Sequence, residues 1–134
     1  MSELALQLIE KEKREKTGRL DLGRCGLTDW PEELFELTHL EVLNLGRTIW
    51  DESLDKWINS KNPGPKNALE RISERITTLK KLTGLHISSN KISDIRVLKK
   101  MTKLQSLDLS DNQITDIQVL ENLVVFGDVR AKYE

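Results

Sequence analysis

The side chains with the chemistry for catalysis are few and widely spaced: Cys25 is the single cysteine, and the chain has two histidines. No Gly-x-x-x-x-Gly-Lys loop is present to cradle nucleotide phosphates, and there is no Gly-x-Gly-x-x-Gly turn and no nucleophile elbow. Acidic residues are numerous but scattered over solvent positions. His86 with Asp108 offers at most two ligands where zinc takes three or four, so no metal site is expected. A lone cysteine in an apolar setting reads as a small buried residue and not as a nucleophile. These residues predict a protein that is not an enzyme and holds no cofactor.

Composition narrows the partner class. The 21 basic and 22 acidic side chains leave a net charge of -1 over 134 residues, so no global basic field draws in nucleic acid. The run Lys11, Lys13, Arg14, Lys16 is matched by Glu10, Glu12 and Glu15, and nucleic acid is not expected as a partner. No apolar stretch approaches the ~20 residues of a membrane helix, and the chain opens without a secretory pattern. With one cysteine and no Asn-x-Ser/Thr acceptor, a cytoplasmic location is expected, and no membrane partner.

What the chain has in abundance is leucine, at 22 of 134 residues, while aromatics make up only 4%. The core is therefore aliphatic and spread along the chain. Leu82, Leu85, Ile87, Asn90, Ile92, Ile95, Leu98 and Met101 recur as Leu104, Leu107, Leu109, Asn112, Ile114, Ile117, Leu120 and Leu123. The same register places Leu20, Leu22, Cys25, Leu27, Trp30, Leu34 and Leu37 in an earlier unit, with Leu40, Leu43 and Leu45 opening the next.

This pattern resembles the leucine-rich repeat, Leu-x-x-Leu-x-Leu-x-x-Asn-x-Leu, in the short form found in phosphatase-regulator and internalin-type proteins. The resemblance implies an α/β leucine-rich repeat solenoid: curved, with a parallel β-sheet on the concave face and helices or 3-10 turns on the convex side. The elements agree on physical grounds. Leu107-Asp108-Leu109-Ser110 has the period-two alternation of a short, half-buried strand, which needs neighbours on both sides. Asn90 and Asn112 follow their strands where backbone groups lose ladder partners, and an amide side chain can satisfy both donors and acceptors there. Cys25 holds that position in the first unit.

The expected organisation is one domain over 1–134: a cap helix at 1–16 with Ser2 as N-cap, repeats at 17–39, 40–81, 82–103 and 104–125, and a partial fifth at 126–134. The second repeat carries an insertion at 46–66, because Asn67 to Leu82 repeats the spacing of Cys25 to Leu40. The insertion bears Trp50 and Trp57, with Leu54 and Ile58 at helical i, i+4 spacing, and a short amphipathic helix is predicted there. Either its apolar side chains pin the loop to the solenoid, or one tryptophan remains an anchor for a partner.

Binding is predicted on the concave face, where the residues between the leucines point outward. The column Asp21, Asn44, His86, Asp108, Arg130 runs across its middle, flanked by Ser88 and Ser110, and Trp50 and Trp57 border it. With strands ~4.8 Å apart, alternate members lie about 10 Å apart and can meet one extended protein partner. At the other end Leu120, Leu123 and Phe126 lack a following repeat, which implies either a longer protein or self-association through a C-terminal edge. Finally, a charged helix followed by Arg19-Leu20-Asp21-Leu22-Gly23, Cys25-Gly26-Leu27 and a tryptophan-bearing insertion resembles the amino-terminal repeats of bacterial Roco-type proteins over residues 4–82. Those proteins carry a GTPase farther along, and the absence of a phosphate loop leaves that activity outside this chain.

Overall fold

A helix start is written into Ser2 and Glu3, and α1 spans Glu3–Glu15, the Ala5 amide donating to the Ser2 hydroxyl at 3.2 Å. It stops at Lys16, whose left-handed backbone (φ 50°) lets its amide return to the Glu12 carbonyl at 2.8 Å. Ala5 and Ile9 are buried and Leu4 and Leu8 pack beside them, so one stripe of the helix covers the open edge of the first strand. This computed structural model describes residues 2–115 together with the backbone of 128–131.

The sheet that follows is built from very short strands: β1 (Arg19–Asp21), β2 (Val42–Asn44), β5 (Gly84–His86), β6 (Ser106–Leu109) and β7 (Asp128–Ala131). They are parallel, in the order β1-β2-β5-β6-β7. Leu20, Leu43, Leu85, Leu107 and Val129 stand in register across the sheet. Strands of three or four residues have no independent stability; stacking buries their leucines in one continuous aliphatic core. On the opposite side three 3-10 helices return the chain, η1 (Glu32–Glu36), η2 (Glu74–Thr78) and η3 (Arg96–Lys100). Their inward residues Leu34, Ile76 and Leu98 are fully buried.

The asparagine positions behave as their chemistry requires. Asn67 accepts from the amides of Cys25 and Leu27 (3.2 and 2.8 Å) and donates to the carbonyls of Leu22 and Leu45 (3.0 and 2.9 Å). Asn90 and Asn112 make the equivalent bonds one and two turns later. The residues just before the ladder position, Arg24, Ser89 and Asp111, are left-handed at φ 51–56°, which is what swings the chain inward after each strand.

The insertion differs from its predicted helix. It forms an antiparallel hairpin, β3 (Thr48–Asp51) with β4 (Lys56–Asn59), in the register Trp50↔Trp57 and Ile49↔Ile58. The Leu54–Ile58 spacing misled, because β-branched and aromatic residues at 48–50 and 57–58 pair more favourably across strands than along one short helix. Asp51 fixes the turn, accepting from the Ser53 amide, the Ser53 hydroxyl and the Leu54 amide at 2.9, 2.6 and 3.1 Å, while Asp55 takes a left-handed conformation. Hydrogen bonding from the Ser53 side chain, then from the Leu54 and Ser53 amides, holds the Asp51 carboxyl below its usual value. The predicted C-terminal edge residues Leu120, Leu123 and Phe126 lie outside the described residues, as does the Arg130 side chain.

Candidate functional site

Three residues of the central column first do a local job. Asp21 accepts from the Gly23 amide (2.9 Å), Asn44 from Gly46 (2.9 Å) and Asp108 from Ser110 (3.0 Å), so three strands end in the same side-chain-to-backbone turn. Asp108 also accepts from the Ser110 hydroxyl at 2.6 Å. Across strands, Asn44 donates to Asp21 at 2.8 Å, and His86 Nε2 shares a 2.9 Å hydrogen bond with the Ser106 hydroxyl.

These residues were expected on an open face; the structure instead buries Asn44, His86, Ser88 and Asp108. Part of the cover is the hairpin. Trp57 sits edge-on to His86 with ring centroids 5.1 Å apart and edge-on to Trp50 at 5.6 Å. Thr48 reaches Ser88 at the base of the hairpin, and Ser60 donates to Asp21 at 2.8 Å as the chain leaves it. Gly23 and Gly46 permit this closeness, since a Cβ on Gly46 would overlap the Ser88 amide and one on Gly23 would overlap the Gly46 carbonyl. Asp21 and Ser110 stay partly exposed at the rim.

The two readings of the tryptophans merge. Trp50 and Trp57 are both half-buried, packed on the solenoid yet reachable from solvent. Beside them Leu54, 56% exposed, is the exposed large hydrophobic side chain among the described residues. Between the hairpin and β1 lies an open cleft of about 360 Å³ lined by Arg19, Asp21, Ile49, Trp50, Glu52 and Lys61, with Arg19 and Glu52 paired across it at 3.4 Å.

Two features of this region escaped the sequence reading. Asn62, at the exit of the hairpin, donates to the carbonyls of Asp21 and Gly23 at 2.9 and 2.8 Å. Cys25 occupies the first ladder position without an amide, and Asn62 brings one in from the insertion. The Cys25 thiol itself faces the Gly23 carbonyl at 3.5 Å, and burial, helped by the Asp21 charge, pushes its pKa up to about 11, which keeps it protonated and unreactive. The second feature is a buried carboxylate: Glu12 of α1 receives the Thr17 hydroxyl (2.6 Å) and the Gly18 amide (2.8 Å), and it pairs with His39 at 2.6 Å. Burial pushes this carboxyl up, but the Thr17, His39 and Gly18 contacts outweigh it and leave the pKa below the ordinary value. The signal for it was a charged residue on the apolar stripe of an amphipathic helix.

Among the described residues no group of three or more His, Cys, Asp or Glu side chains is placed to hold a metal ion, and no helix is long and apolar enough to cross a membrane.

Residues 80–122 match the family model for leucine-rich repeats, in two copies. Among solved structures the chain is similar to an internalin, InlF, from Listeria monocytogenes str. 4b F2365, at 30% identity and a TM-score of 0.57, covering 78% of this chain and 25% of that one. It is also similar to internalin C2 from the same strain, at 32% identity and a TM-score of 0.55, covering 85% of this chain and 51% of that one. The chain thus spans between a quarter and about half the length of these internalins. No curated protein matches it. Leucine-rich repeat domains generally mediate protein–protein interaction. Stacked parallel strands, the asparagine ladder, the helical cap and these likenesses identify the fold of this chain as a leucine-rich repeat solenoid.

Proposed function

We propose that this chain is a non-catalytic protein-binding module whose partner-facing surface is the hairpin of the insertion together with the rim of the concave face. The observation that carries this reading is Leu54, an exposed leucine at the hairpin turn beside half-buried Trp50 and an open cleft. Such a rigid aromatic pair with an adjacent apolar tip and a charged rim has the make-up of an interface hot spot. Trp50, Leu54 and Trp57 supply the apolar contact; Arg19, Asp21 and Ser110 supply the polar surround. His86 and Ser88 touch the hairpin through Trp57 and Thr48, so their part in binding is to position it, while Asn44 and Asp108 are buried beside them in the strand column.

Cytoplasmic action is part of the proposal, supported by Cys25 being the single cysteine. A second reading, resting on the resemblance of residues 4–82 to Roco-type repeats, is a regulatory repeat segment of a larger GTPase-type protein. The test is affinity capture with the chain as bait. A partner held by the native protein should be lost on Trp50→Ala and on Leu54→Asp, with the far-UV spectrum unchanged. Retention by both folded variants would refute the assignment of this surface.

A further inference from the structure

The net charge of -1 conceals a strong polarity along the solenoid. Residues 1–55 carry 7 basic and 13 acidic side chains, whereas residues 56–115 carry 12 basic and 5 acidic. On the convex side the change is visible from one 3-10 helix to the next, since η1 presents Glu32, Glu33 and Glu36 while η3 presents Arg96, Lys99 and Lys100. Glu32 and Arg75 pair across the boundary, and Arg75 also lies 4.9 Å over the Phe35 ring, so that cation is engaged. Arg96 is engaged too, holding the Asp94 carboxyl at a pKa of about 2.

The lysines beyond them are not. Lys80, Lys100 and Lys103 surround a cleft of about 180 Å³ with Thr77, Thr102 and, at its floor, the buried Met101. Among the described residues no acidic side chain lines this cleft, and none of the three lysines has an ion pair. Lys81 and Lys99, both exposed, flank it in sequence. The three like charges around one cleft repel one another, a cost that a bound polyanion removes.

We propose that this convex lysine cleft is a second docking surface, distinct from the hairpin, and that its occupant is an acidic segment of a partner protein. Charge complementarity requires an anion. Base stacking, on which single-stranded nucleic acid relies, has no platform among the described residues of this surface, because Trp30 and Phe35 stack on each other and Trp50 and Trp57 belong to the hairpin. A membrane surface is disfavoured because, among the described residues, the exposed large hydrophobic is Leu54, which is on the hairpin and away from the cleft. Carboxylates spaced along an extended chain, with threonine hydroxyls beside the lysines, meet the cleft on its own terms.

The experiment is fluorescence anisotropy of a labelled oligoglutamate peptide titrated with the full chain. Saturable binding is expected, weakening steeply from low to physiological salt as screening sets in. The triple variant Lys80→Glu, Lys100→Glu, Lys103→Glu should bind at least roughly tenfold more weakly. The control Lys11→Glu, Lys66→Glu, Lys91→Glu makes the same change in net charge at exposed lysines outside both surfaces and should bind like the native chain. If the first triple variant fails to fold, the corresponding Lys→Gln triple takes its place with the same expected loss. The proposal is overturned by equal loss in both triple variants, by full binding in the cleft variant, or by no binding at low salt. It is also overturned if a single-stranded oligonucleotide or phosphatidylserine vesicles bind more tightly than the peptide and lose binding in the cleft variant.

Discussion

Replacing Asn67 with alanine removes the joint between the first two units and the end of the insertion. Its amide makes four hydrogen bonds, accepting from Cys25 and Leu27 and donating to Leu22 and Leu45, all to buried backbone. At a net value of about 1 kcal/mol per bond, the loss is about 4 kcal/mol, since alanine offers no replacement and the site is closed to water. Domains of this size have ~5–15 kcal/mol in total, so Asn67→Ala removes a large share of the stability. Asn62→Ala is the internal comparison: two backbone hydrogen bonds at a half-exposed site should cost ~1–2 kcal/mol. Urea unfolding followed by tryptophan fluorescence reads both, compared at equal slope. If Asn67→Ala loses less than about 1 kcal/mol, or no more than Asn62→Ala, the amide ladder does not carry the energy assigned to it.

Glu12 makes stability acid-sensitive: its folded pKa lies below its unfolded one, so its contribution is complete above about 4.5 and is lost as pH falls through the lower, folded value. Glu12→Gln should flatten that part of the stability–pH curve, measured by urea midpoints from neutral pH downward. Cys25, with its thiol pKa raised to about 11, should resist alkylation at pH 8 in the folded chain and react promptly in urea, as read by mass. Gly46→Ala drives a methyl into the Ser88 amide and should cost ~1–3 kcal/mol by thermal unfolding. Trp57→Ala should cost ~1–3 kcal/mol and expose His86, seen as faster deuterium exchange at its ring Cε1.

The repeating parts of the fold were legible because each repeat restates the same constraint. Leu85 and Leu107, or Asn90 and Asn112, occupy equivalent environments, and the period averages out local ambiguity. The insertion has no such redundancy. Trp50, Leu54, Trp57 and Ile58 fit a helical stripe or a hairpin face, and only the pairing of Trp50 with Trp57 decides between them. Exposure of the concave column was misjudged for a related reason: period two says that Asn44, His86 and Asp108 point away from the leucines, but not that they are buried there, nor that an inserted segment returns Trp57 against His86. The polarity of charge was present in the sequence and was masked by summing over the whole chain.

The amide that Asn67 returns to the first unit from beyond the insertion also bears on when that unit closes. In the later repeats the ladder partner is one repeat ahead: Leu69 waits for Asn90, 21 residues on, and Ile92 for Asn112, 20 residues on. Cys25 and Leu27 wait for Asn67, 42 and 40 residues on, with the whole hairpin in between. During synthesis the amino-terminal unit is thus made first but completed late, after the hairpin has been translated. The longer loop closure places the slow step of folding at the end of the solenoid that appears most securely capped.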